Sequence, residues 1–432
     1  MDIRSVVAKK RDGRELTGEE ISLAVAGYVG GEASEAQMAA LLMAIVLRGM
    51  SPRETADLTF AMVESGERLD LGALPTATVD KHSTGGVGDK TTLVVAPLAA
   101  SLGVAVPKMS GRALGHTGGT IDKLESIPGL TTDLPPDRFC RQIADIGVAI
   151  AVQTERMVPA DKRIYSLRDA TATVESVALI ASSVMSKKLA VGADAIVLDV
   201  KAGRGAFMRD EETARELAKA MVEIGGRAGK RVVALVTRMD QPLGRAVGDA
   251  AEVAEAVETL SGGGPADFRE LCEIVAGHML AAGGAASGPE EGCSLARRGL
   301  ADGSGMAKFR EMVAAQGGQV GTLDEPGALA SQCDRIPVEL ERRGCVTGID
   351  ARRVGMAVRE LKLRAGVHKA ACGVILHRKV GESADREPVA SIFWPAAAGA
   401  TPGSAIAEVR AAFEVGRDAP AAQSVLADVV TT

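Results

Sequence analysis

Apolar positions recur at helical spacing over the first 65 residues, then give way to short apolar runs separated by glycine-rich turns. Three capping boxes mark the opening helices. Thr17–Glu20, Ser34–Gln37 and Ser51–Glu54 each place a hydroxyl three residues ahead of Glu or Gln, and Pro52 suits a first helical position. Helices are predicted near 18–29, 35–48 and 52–65. The middle one carries Ala39, Ala40, Leu41, Leu42, Met43, Ile45 and Val46, so it is either central or part of an interface. From residue 70 onward, strands at 77–79, 105–107, 148–152, 195–201 and 231–237 alternate with helices near 90–103, 136–146, 176–189 and 210–224. A further helix after residue 248 carries Glu252 and Glu255. Such alternation predicts a mostly parallel α/β sheet. Gly262–Gly264 and Pro265 form a turn before a helix near 266–282, residues 283–291 read as a loop, and a charged helix covers 305–315. Beyond about 335 the pattern shortens to segments at 344–349, 373–376 and 388–392, which predicts a separate α+β unit.

Composition narrows the class. At 432 residues the chain is expected to form two or three domains. Aromatic residues make up 2% and the net charge is −6 without a sustained basic run, which argues against single-strand stacking platforms and nucleic-acid binding. The six cysteines are scattered with no C-x-x-C pair, so neither zinc nor a disulfide framework is suggested. No stretch of 18 apolar residues and no apolar signal core occurs, so no membrane partner is expected and a cytoplasmic location is.

The chemistry concentrates between Asp80 and Glu125. The first half reads Lys81-His82-Ser83-Thr84-Gly85-Gly86-Val87-Gly88-Asp89-Lys90-Thr91-Thr92. The second reads Lys108-Met109-Ser110-Gly111-Arg112, then Leu114-Gly115-His116-Thr117-Gly118-Gly119-Thr120-Ile121-Asp122-Lys123-Leu124-Glu125. Glycines let backbone approach a ligand, and successive N–H groups in such turns make anion-binding nests. With hydroxyls from Ser83, Thr92, Ser110 and Thr120 and charge from Lys81, a phosphate pocket is the natural reading. It is not a P-loop, because Asp89 rather than Gly precedes Lys90-Thr91. It is not a dinucleotide fingerprint either, because Gly86-Val87-Gly88 leads to Thr91 where Gly is required.

Those two motifs resemble the thymidine/pyrimidine-nucleoside phosphorylase family, from the first helices to about residue 330 and more weakly beyond. The resemblance implies reversible phosphorolysis of pyrimidine nucleosides (uridine, thymidine, deoxyuridine), with inorganic phosphate as co-substrate and no organic cofactor. It implies phosphate binding by Lys81, Ser83, Thr92, Lys108, Met109, Ser110 and Thr120, and base binding by Arg168, Ser183 and Lys187. His82 would stabilise or protonate the leaving base, Phe207 could wall the base site, and His116 reads as structural. A potassium ion is implied at Gly88, Lys90, Leu243, Ala246 and Glu255, although Lys90 stands where the family's pattern has Thr or Val and a nearby ammonium weakens a cation site. A homodimer built on the helical domain is implied as well. Lys108, where strict thymidine phosphorylases resemble Met, leans toward the broader enzyme.

The expected architecture is a small all-helical domain (1–68 and 160–192), a larger α/β domain with a mostly parallel sheet (69–159 and 193–333), and an α+β C-terminal domain (334–432). Segment 361–373 lacks the acidic residues the family leads one to expect, so no site is assigned there. Two rivals remain: an anthranilate-type phosphoribosyltransferase needing diphosphate and magnesium, and a catalytically silent nucleoside-binding protein.

Overall fold

The computed structural model describes residues 2–72, 74–113, 115–154, 156–330, 333–385, 387–399 and 403–431; Leu114 of the second glycine motif lies outside them. The chain opens with α1 (Ile3–Arg11), α2 (Gly18–Gly30), α3 (Glu35–Arg48) and α4 (Pro52–Glu64). All three expected capping boxes are formed, with the Thr17, Ser34 and Ser51 hydroxyls accepting from the backbone N–H three residues on. Helix α1 escaped the sequence reading because it is short and polar, with Val6 and Lys10 as its buried residues.

The α/β region begins with β1 (Val79–Ser83), α5 (Thr91–Ser101), β2 (Val106–Ser110), α6 (Thr120–Leu124), α7 (Pro136–Ile146) and β3 (Val148–Val152). Strands β1 and β2 run further than the apolar letters suggested. Lys81, His82, Lys108 and Met109 therefore stand on strands and not in loops, which corrects the expected strands at 77–79 and 105–107. Two helices follow, α8 (Pro159–Ala170) and α9 (Val177–Val191). Leu179 and Ala190 of α9 and Ile164 of α8 share a core with Leu41 and Leu42 of α3 and Met62 of α4, so the N-terminal helices and this pair form one helical body. Strands and helices then alternate as β4 (Ala195–Ala202), α10 (Glu211–Arg227), β5 (Arg231–Arg238), β6 (Ala246–Val247) and α11 (Asp249–Leu260). The helices α12 (Ala266–Ala282), α13 (Pro289–Ala301) and α14 (Ser304–Ala315) complete the region. Helix α13 begins inside the stretch read as a loop, where Pro289 supplies its first turn.

The C-terminal unit contains β7 (Cys333–Val338), β8 (Cys345–Ile349), α15 (Ala351–Ala365), β9 (Gly373–Leu376), β10 (Ala390–Pro395), α16 (Gly403–Ala411) and β11 (Phe413–Gly416). Its core holds Trp394, which is 1% exposed and donates its indole N–H to Gly399 O at 2.9 Å. The next strand, β12 (Leu426–Thr431), leaves that unit and pairs antiparallel with β5. The 334–432 segment thus lends its last strand to the α/β sheet.

The central sheet has the order β1-β4-β5-β12, with β1, β4 and β5 parallel. A parallel bridge between Thr78 and Ala105 sets the parallel pair β2-β3 beside β1. The carboxyl ends of β1 and β2 therefore lie side by side, and both glycine motifs emerge there, which is where open α/β sheets bind ligands.

Candidate active site

Strand β1 sorts the site by its two-residue period. Ser83 pairs with Asp199 and Lys81 with Val197, so Lys81, Ser83, Asp199 and Lys201 share one face of the sheet. Asp80 and His82 face the other way. On the first face the Lys81 ammonium is fully buried, 3.5 Å from Asp199. Lys201 lies 2.8 Å from the same carboxylate oxygen, whose other oxygen accepts from the Thr237 hydroxyl at 2.6 Å. The Lys81 ammonium has no hydrogen-bond partner among the described residues, a costly state for a buried cation unless an anion completes it. The Ser83 hydroxyl donates to Asp89, and Asp89 also accepts from the Thr91 N–H at 3.2 Å and the Thr91 hydroxyl at 2.7 Å. Burial pushes the Asp89 carboxyl upward, but Lys81, Lys201 and Lys123, with the Ser83 hydroxyl, outweigh it and hold Asp89 well below the usual carboxylate range. Thr92 is buried in the first turn of α5; the N–H groups on either side of its own are already donated, Thr91 N–H to Asp89 and Leu93 N–H to Lys90 O. Ser110 closes β2 and Thr120 opens α6; both are half-buried.

On the opposite face, Lys188 donates to Asp80 at 2.7 Å and to Met109 O at 3.2 Å. Lys108, 3% exposed, turns back to Met109 O at 2.7 Å. Burial, then Lys188 and Lys81, hold the Lys108 ammonium well below the usual lysine range despite Asp80. His82 is half-buried and feels all of these cations. Burial first, then Lys188, Lys108, Lys81 and Lys187, depress its imidazole well below the usual histidine range, so it is neutral at pH 7. The contacts of Lys188 with Asp80 of β1 and Met109 of β2 bring α9 to the same place as those two strands.

The remaining residues expected at the base have definite partners. Lys187 donates to Ser183 O at 2.8 Å and Ser183 Oγ at 2.9 Å and pairs with buried Asp161 of α8. Arg168, 1% exposed, donates to the carbonyls of Thr173 at 3.2 Å, Leu179 at 3.0 Å and Val174 at 2.6 Å. Three of its five N–H groups thus fix the 171–179 turn, and two have no acceptor among the described residues. Phe207 is 41% exposed and packs tilted against His116, with ring centroids 5.7 Å apart; His116 contacts Gly205 O at 3.1 Å. Arg112 forms a bidentate pair with Glu125 at 2.6 and 3.0 Å.

The five positions expected to hold potassium do converge, but the Lys90 ammonium stands among them, 2.8 Å from Leu243 O and 3.1 Å from Ala246 O and paired with Glu255. The ammonium of Lys90, the residue that departs from the family's pattern, thus stands at the point where the resemblance implies the ion.

Sequence reasoning passed over Asp80, Asp89, Asp161, Lys188, Asp199 and Lys201. One signal was available: Asp199 and Lys201 sit two apart in a strand that is otherwise Ala, Ile, Val and Leu and is buried throughout, and charges in such a strand must be paired.

A scan against family models matches residues 75–306 to the glycosyl transferase family a/b domain and residues 4–66 to that family's helical bundle domain. Among curated proteins, the pyrimidine-nucleoside phosphorylase of Geobacillus stearothermophilus is 49% identical over 89% of this chain and 89% of its own. The chain belongs to the thymidine/pyrimidine-nucleoside phosphorylase family. Members from Bacillus subtilis (strain 168), at 46% identity over 91% of this chain and 92% of theirs, and Staphylococcus haemolyticus, at 45% over 88% and 89%, agree with that placement. A solved structure, the anthranilate phosphoribosyltransferase of Thermus thermophilus, aligns at a TM-score of 0.59 and 26% identity, covering 72% of this chain and 99% of that one. The family's helical and α/β layers are thus shared with the transferase, and the part of this chain left uncovered is at least as long as its C-terminal unit.

Proposed function

We propose that this chain is a pentosyltransferase that catalyses reversible phosphorolysis of pyrimidine nucleosides. The observation that carries the reading is the fully buried Lys81 ammonium, which lacks a hydrogen-bond partner among the described residues and stands on β1 where both glycine motifs emerge, beside the carboxyl end of β2. Phosphate held by Lys81, Ser83, Thr92, Ser110 and Thr120 attacks C1′ of the pentose. The C–N glycosidic bond breaks and its electron pair leaves with the base, giving pentose 1-phosphate. Positive charge develops on the sugar and negative charge on the base, so fixed donors near the base lower the barrier. Lys187 would serve the base carbonyls by exchanging its donation to Ser183, Ser183 through the hydroxyl so released, Arg168 can offer the two N–H groups without a partner among the described residues, and Phe207 walls the pocket.

His82 has a conditional part. In the free protein it is a neutral imidazole that offers an N–H to the base O2 but is a poor acid. A bound phosphate dianion offsets the lysine field, raises the imidazole toward protonation, and so couples proton supply to phosphate occupancy. Broad specificity for uridine and thymidine, a homodimer through the helical body and a cytoplasmic location belong to the same reading. Leu47 of α3, 72% exposed, supports the interface, and no helix among the described residues is long and apolar enough to cross a membrane.

The test is ultraviolet-monitored cleavage of uridine, thymidine and cytidine with and without phosphate. Phosphate-dependent release of uracil and thymine, with cytidine inert, is expected. Release that requires diphosphate and magnesium instead would move the chain to the transferase. In Lys108→Met the uridine-to-thymidine ratio should fall; an unchanged ratio removes Lys108 from the specificity argument.

A further inference from the structure

The loop between β5 and α11 carries the carbonyls of Leu243 and Ala246 and presents them, with the Glu255 carboxylate, to one point. Glu255 is 7% exposed and accepts the backbone N–H groups of Arg245 at 2.9 Å and Ala246 at 3.0 Å. It therefore shapes the loop as well as charging it. The Lys90 ammonium occupies that point. Its three N–H donors meet three acceptors, namely Leu243 O at 2.8 Å, Ala246 O at 3.1 Å and Glu255, and it lies 4.9 Å over the Phe268 ring face.

Two glycines leave no slack around it. At Gly88 (φ +72°) a Cβ would stand 2.6 Å from Leu243 O. At Gly244 (φ +66°) a Cβ would stand 2.2 Å from a Glu255 oxygen and 2.8 Å from the Lys90 nitrogen. The chain is thus built tightly around an ammonium, and the oxygen set is spent on it. A potassium ion does not fit these residues: it would share the same three oxygens with a buried like charge.

We infer that Lys90 is a resident monovalent cation, covalently part of the chain, standing where the resemblance expects an exchangeable one. The consequence is regulatory. Lys90 stands at the start of α5, one residue from Asp89, which orders Ser83, so the 243–246 loop and the phosphate loop are joined by a tether that no ion concentration can weaken. Lys90 is a positioning residue, acting on phosphate through the 84–92 loop. The inference deepens the phosphorolysis reading but rests on the packing of Lys90 alone.

The experiment is thermal unfolding of the protein at constant ionic strength in potassium, sodium or choline chloride, read by circular dichroism and needing no turnover. Wild type should melt at the same temperature in all three. Lys90→Thr, which frees the oxygens, should melt several degrees lower in choline and recover in potassium. Lys90→Met, which fills the space without charge, should melt lower and not recover. A wild-type melt raised by potassium over sodium overturns the inference, as does a Lys90→Thr melt indifferent to potassium. Should the Thr variant not fold, the wild-type comparison decides alone. Melts that follow the expectation beside absent phosphorolysis would sink the proposed activity and leave this inference standing.

Discussion

Residue by residue, the site is a set of charges whose neighbours decide what each can do. His82 shows this most directly. Its depressed imidazole follows from burial and four lysines, so its titration in the free protein should fall below that of an ordinary histidine and climb when phosphate is added. Proton NMR of the imidazole checks both statements, and a normal midpoint in the free protein would remove the electrostatic argument. If His82 assists the leaving base, His82→Asn should lower kcat by about 10²–10⁴ while the melt changes little. The residues that carry this chemistry were legible in part. Lys81, His82 and Ser83 could be picked out because glycines and hydroxyls crowd a short stretch. Asp199 and Lys201 left one local trace, two charges in an otherwise apolar strand, but their partners could not be read, because pairing between β1 and a strand so far along the chain is written in neither stretch.

Elements tell a similar story at a larger span. The capping boxes of α2, α3 and α4 were readable because hydroxyl, spacing and partner are all local. Glu54 is more than a cap. Besides accepting from Ser51 N at 2.8 Å, it accepts from Leu16 N at 2.8 Å and from Lys10 at 2.7 and 2.8 Å, with 1% exposure. It is the buried carboxylate that fastens α1 to α4. Glu54→Gln strands a buried ammonium, a loss on the order of 3–5 kcal/mol, whereas Ser34→Ala removes one exposed cap for about 1 kcal/mol. Urea unfolding of the two variants should rank them so; equal losses would reduce Glu54 to a cap. Strand limits were misjudged at β1 and β2 for a physical reason. The site sits on the strand ends, so charged residues take positions that periodicity reserves for apolar ones.

For the whole molecule, pH sets the stability trend. A histidine whose folded pKa lies below its unfolded value carries a penalty that is absent above the unfolded pKa and grows as pH falls below it, because the unfolded chain binds the proton more readily. His82 is such a group. Asp89 has a depressed carboxyl, so its contribution is full above the unfolded carboxylate range and is lost as pH falls through the folded one. Both signs agree, so the melting temperature should decline below about pH 6.5 and decline further through the carboxylate range. In His82→Asn the first part of that decline should shrink, and an unchanged profile would place its origin elsewhere. The layered plan was readable from strand–helix alternation, while the return of β12 to β5 was not, since nothing in its own letters names a partner so distant in the chain.

The scarcity of aromatic side chains has a practical outcome. The chain has one tryptophan and two tyrosines. Trp394 is sealed in the C-terminal unit, while Tyr28 lies on α2 and Tyr165 on α8, both in the helical body. The sheet that carries the glycine motifs has neither. Intrinsic fluorescence therefore watches the two flanks in separate spectral channels and is blind to the centre. A melt followed at the tryptophan band dates the loss of the C-terminal unit, one followed at the tyrosine band dates the helices, and any interval between them measures how far the three bodies unfold as one.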